Sequence, residues 1–89
     1  MLYMITCGLK NKERNFQAVA DAIMRLGESN HCLDLVWLLH SQRNVNEIQS
    51  EIQRAISEDD RFIVMDVTAR PRNGWMNRDV WEWVRAHDF

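Results

Sequence analysis

The sequence predicts an α+β sandwich, one antiparallel sheet with helices packed against it. Three observations carry that class. Segments of period-two and period-3.6 hydrophobicity follow one another in the order strand, helix, strand, strand, helix, strand. A further helical segment is appended at the C-terminus. At 89 residues, 46% of them hydrophobic, the chain suits a single domain over 1–89, with a core in 1–68 and a C-terminal loop and helix in 69–89.

Residues 2–7 of "MLYMITCGL" alternate as a strand and stop at Cys7-Gly8. Residues 14–26 set Phe16, Val19, Ala20, Ile23 and Leu26 along one helical stripe, and Gly27 ends it. "HCLDLVWLLH", residues 31–40, is too apolar and β-branched for a loop; Asp34 marks either a tight turn between two strands or a bend in one long strand. Asn44 stands three residues before Glu47, the spacing of an N-cap whose glutamate reaches back to it. Val45, Ile48, Ile52, Ala55 and Ile56 form the buried stripe of the second helix, "SEDD" (57–60) an acidic turn, and "RFIVMDVT" (61–68) the fourth strand. In "ARPRNGW" (69–75), Pro71 and Asn73-Gly74 oppose regular structure. Asn77 is placed to cap a last helix that aligns Met76, Val80, Trp83, Val84 and His87.

This βαββαβ order is that of a ferredoxin-like sandwich, in which two helices cover one sheet face. Here the strands are apolar on both faces: Leu2 and Met4 alternate with Tyr3 and Ile5, and Ile63 and Met65 with Phe62 and Val64. The second face therefore needs a cover, from the C-terminal helix, from a second copy of the chain, or from both. A homodimer built on that face and on the segment from Trp75 to Trp83 is the expectation.

A net charge of -2 gives no global basic field, so any nucleic-acid contact must be a local patch. The opening Met-Leu-Tyr-Met-Ile-Thr has neither a basic leader nor a long apolar run, which predicts a cytoplasmic protein with no membrane partner. Two cysteines without CxxC spacing suit reduced thiols better than a disulfide or a zinc site.

Several residues are candidates for chemistry. Cys7 could be a nucleophile served by His31 or His40, although packing is the commoner role of a strand cysteine. Gly8, without a GxGxxG or Walker pattern, is a weak phosphate signal; as a backbone choice it would let the chain turn at positive φ. His31, Asp34 and His40 could converge on a metal or act as acid and base, against the plainer reading of a hydrogen-bonded polar edge. Trp37 and Trp83 fall on core stripes, which leaves Trp75 and Trp81 as dimer-contact candidates. Lys10, Lys12 and Arg14 after the first strand, and Arg70 and Arg72 after the last, are the nucleic-acid-binding candidates, against a solvated rim. Neither a catalytic residue, a metal ligand nor a cofactor is assigned.

The passages "LYMITCGL", "LGESNHCLDLVWLLHS", "ISEDDRFIVMDVT" and "NGWMNRDVWEWV" resemble the small CRISPR-associated ferredoxin-fold proteins of the spacer-integration core, and more closely their short stand-alone relatives with an aromatic-rich last helix. The resemblance implies a homodimer with an aspartate at the end of the first strand that, paired across the two-fold, holds magnesium for phosphodiester cleavage. The matching positions here are Cys7 and Gly8, and glycine has no side-chain oxygen to offer a hard cation. A non-catalytic homodimeric binding or adaptor module, contacting nucleic acid or a protein partner, is therefore ranked first. Two alternatives stay open: a metal-dependent endoribonuclease or toxin-like nuclease with its carboxylate relocated to Asp34 or Asp66, and a phage or host-defence nucleotide-binding protein.

Overall fold

A computed structural model describes all residues from Met1 to Phe89. Its elements are β1 (Leu2–Gly8), α1 (Lys12–Leu26), β2 (Glu28–Leu33), β3 (Val36–His40), α2 (Val45–Gln53), β4 (Arg61–Asp66) and α3 (Arg78–His87). The strands form one sheet in the order β2-β3-β1-β4 with every pairing antiparallel. This is the ferredoxin-like sandwich, with α3 appended.

The two sheet faces have different covers. Tyr3, Ile5, Cys7, Trp37 and Leu39 point to one side and pack against Val19, Ile23 and Leu26 of α1 and Ile48 and Ile52 of α2, forming the main core. On the opposite side Leu2 packs with Val80 and Val84 of α3, flanked by Cys32, Leu38, Val67, Met76 and Trp83. The C-terminal helix thus lies over its own sheet. No helix is long and apolar enough to cross a membrane.

Local chemistry explains most boundaries, and some differ from expectation. α1 starts at Lys12 rather than at residue 14, because the Asn11 side chain accepts from Arg14 N at 3.1 Å and caps a polar first turn that hydrophobic periodicity does not register. Gly27 does end the helix, but in extended backbone (φ 161°) rather than in the left-handed region. Its reason is space: a Cβ there would lie 2.2 Å from the His40 carbonyl oxygen. The hairpin turns at Asp34-Leu35, with a bulge between His31 and Leu33, so Asp34 does separate two strands.

α2 carries the full capping box, with Glu47 N donating to Asn44 and Asn44 N to Glu47. It stops at Gln53, so Ala55 and Ile56 pack on the core from the turn that follows, and Val45 is exposed rather than buried. β4 ends at Asp66, two residues early, because Val67 and Thr68 bond the start of β1 from outside the ladder: Val67 N donates to Leu2 O at 2.9 Å, and Leu2 N to Thr68 Oγ1 at 2.7 Å. Asn77 sits at the N-cap of α3 without a side-chain capping bond.

Candidate functional site

The end of β1 is a packing and hydrogen-bonding centre. Cys7 is buried in the main core, and burial, with the charge of Asp60 added, pushes its thiol up to about 11. A thiol that stays protonated near neutral pH is a poor nucleophile. The glycine beside it does not turn the chain at positive φ; it continues the strand opposite Arg61, and a Cβ added there would meet nothing within 4 Å. The positive-φ expectation for Gly8 is therefore corrected: the left-handed position lies elsewhere, at Ala69 (φ 52°).

Beneath this strand end lies a polar network that the sequence did not disclose. Asp60 is buried and accepts from Ser57 N at 2.8 Å, Lys10 N at 2.9 Å and Asn15 Nδ2 at 2.7 Å. These bonds, that from Ser57 above all, hold its carboxyl below the ordinary range. Asn15 also donates to Ser57 Oγ. One signal was available: Asn15 lies one turn before Val19 on the buried stripe, and a polar side chain there calls for a buried partner.

The basic candidates occupy opposite ends of the sheet, because β1 and β4 are antiparallel and pair Gly8 with Arg61 and Tyr3 with Asp66. Carboxylates stand beside several of them. Lys12 contacts Asp34, Lys10 lies 3.9 Å from Asp59, and Arg72 lies 2.9 Å from Asp88. Arg14 and Arg70 have no such pair.

The hairpin residues do not converge. His31 stacks on Trp37 at 4.7 Å and donates from Nε2 to Asp34 O, whereas His40 lies toward Phe89 at 4.3 Å and His87 at 5.6 Å. Asp66 accepts from Thr68 N and Oγ1, far from Asp34 along the sheet. No three His, Cys, Asp or Glu side chains come close enough together to hold a metal ion.

The remaining feature is the second sheet face. Register places Met4, Thr6, Ile63 and Met65 beside Leu2 on this side, but α3 lies toward β2, packing on Leu2, Leu38 and Cys32, and leaves the β4 edge open. Ile63 is left 53% exposed and Met65 47%, and Leu33 on the far edge 54%. Between α3, the 69–76 loop and the sheet runs a cavity of about 310 Å³ with apolar walls, and Trp81 lines it. Trp75 is 100% exposed on the same loop. The two tryptophan candidates are thus unlike, one a wall and the other free.

Compared with protein-family models, curated proteins and solved structures, the chain has no match. The fold itself defines the class shown here: an α+β ferredoxin-like sandwich with an appended C-terminal helix.

Proposed function

We propose that the protein is a non-catalytic homodimeric binding module whose copies meet on the open half of the second sheet face, with Trp75 at its border. The observation that carries this reading is the pair Ile63 and Met65, apolar side chains on one face of the edge strand β4 that α3 leaves exposed. Single exposed hydrophobics are ordinary, whereas two neighbours on one face of an edge strand, with a fully exposed tryptophan in the loop that follows it, are what an interface presents. A two-fold axis through the patch makes it self-complementary. The resemblance to the CRISPR-associated ferredoxin-fold proteins agrees in architecture and supplies the two-fold partner by analogy.

Within this reading the basic loops offer contacts to a nucleic-acid backbone, doubled by the second copy. Among the five basic candidates, Arg14 and Arg70 are the two without an intrachain carboxylate. The cleavage alternatives have less support, since Asp34 and Asp66 stand apart without converging ligands.

Light scattering at tens of micromolar tests the assembly. The expected mass is twice the 10.6 kDa of the chain, returning to that of one chain in the Ile63→Lys, Met65→Lys double variant with its circular dichroism unchanged. A monomeric parent protein at that concentration overturns the reading.

A further inference from the structure

We propose that the groove between α3 and the second sheet face binds a small acidic amphiphile, with its apolar body between the helix and the sheet and its anionic head on Arg70. The cavity holds about 310 Å³, which at roughly 30 Å³ per water is the space of about ten waters, or an apolar body of about ten non-hydrogen atoms. Val36 and Leu38 line the sheet side and Met76 and Trp81 the side of the loop and helix, bordered by the packed contact of Leu2 with Val80. Water in such a place finds few hydrogen-bond partners and yields readily to an apolar group.

The rim decides the sign of the head. Two arginines border the groove. Arg72 is committed, with its guanidinium on Asp88 at 2.9 Å and on the Val67 carbonyl. Arg70 is not: no carboxylate lies within ion-pair distance of it, and although its charge acts on Asp66, that carboxylate turns one oxygen, Oδ1, to Thr68 N at 3.0 Å and Thr68 Oγ1 at 2.7 Å. A planar guanidinium at the mouth of an apolar slot selects a carboxylate or similar anion over an alcohol or an ammonium. This inference does not depend on the homodimer.

Titration calorimetry with decanoate, decanol and decyltrimethylammonium, each below its micellar concentration, tests it. Decanoate is expected to saturate at one per chain and to bind about tenfold tighter than decanol, the difference a charge-assisted contact makes. Arg70→Gln should bring decanoate down to the level of decanol. Val36→Trp, which sets an indole into the groove, should abolish uptake of both while thermal unfolding confirms a folded chain. Equal affinity for all three probes, decanoate binding unmoved by Arg70→Gln, or no saturable decanoate binding overturns the proposal. If Val36→Trp splits a dimer that decanoate neither binds nor dissociates, the occupant is a second chain and the proposal falls. Decanoate binding by a strictly monomeric protein upholds the groove and removes only the dimer.

Discussion

Gly27 and Gly8 are one residue type with unlike tasks. At Gly27 the chain leaves α1 and passes so close to the end of β3 that a Cβ would sit 2.2 Å from the His40 carbonyl oxygen, a backbone atom that cannot swing away. Gly8 faces open space. Gly27→Ala is therefore expected to cost about 3 kcal/mol, the upper range for forced overpacking, and Gly8→Ala to stay within about 0.5 kcal/mol of the parent. Urea unfolding of the two variants checks this through their midpoints at constant slope. Similar losses in both would show that the crowding at Gly27 is relieved by a backbone shift. The sequence marked Gly27 as a helix stop and Gly8 as a turn, because a glycine is visible locally whereas its neighbour across the sheet is not. The contact that matters for Gly27 lies with residue 40.

The same contrast of range separates the elements. α2 was legible to its first residue, since both halves of its capping box, Asn44 and Glu47, are three positions apart. The Asp60 network was not, because Asn15 and Lys10 reach it from 45 and 50 residues away. That network joins the β1–α1 loop, α1 and the turn before β4, so its protonation loosens three elements together. The sign follows from the lowered carboxyl of Asp60: its contribution is complete above the ordinary carboxylate value of 3.8 and is lost as pH falls through the depressed one. Asp66, held down by Thr68, and Asp88, held down chiefly by Ala69 N and then by Arg72, act in the same direction. Denaturant unfolding across a pH series should show the parent losing stability steadily as the solution is acidified below 3.8. Asp60→Asn should start lower at neutral pH and lose less on acidification. An unchanged pH slope in that variant would remove Asp60 from the account.

At the scale of the molecule, the sequence showed that both sheet faces are apolar, but a helix of the same chain and a second chain leave the same alternating pattern in the strands. The structure resolves this by halves: α3 covers the side toward β2, and Ile63 and Met65 on the β4 edge stay open. The two cores are unequal, ten buried residues on the α1/α2 side against three on the other, Leu2 and two residues of α3 itself. Local opening is easiest where few buried apolar contacts hold an element, so α3 should detach from a sheet that stays folded. Native-state hydrogen exchange can separate this from global unfolding, because a substitution lowers protection only for amides whose opening disrupts the altered site. Val84→Ala, which strips the smaller core, should reduce the protection of α3 amides by about 2 kcal/mol. Ile5→Ala, fully inside the larger core, should cost the β1 and β3 amides about 3 kcal/mol. It should leave α3 protection where it was, since α3 can lift off without exposing Ile5. If α3 and β1 amides instead share one protection level and fall together in Ile5→Ala, the helix and sheet unfold as a unit, and the second face is closed more firmly than its three buried residues imply.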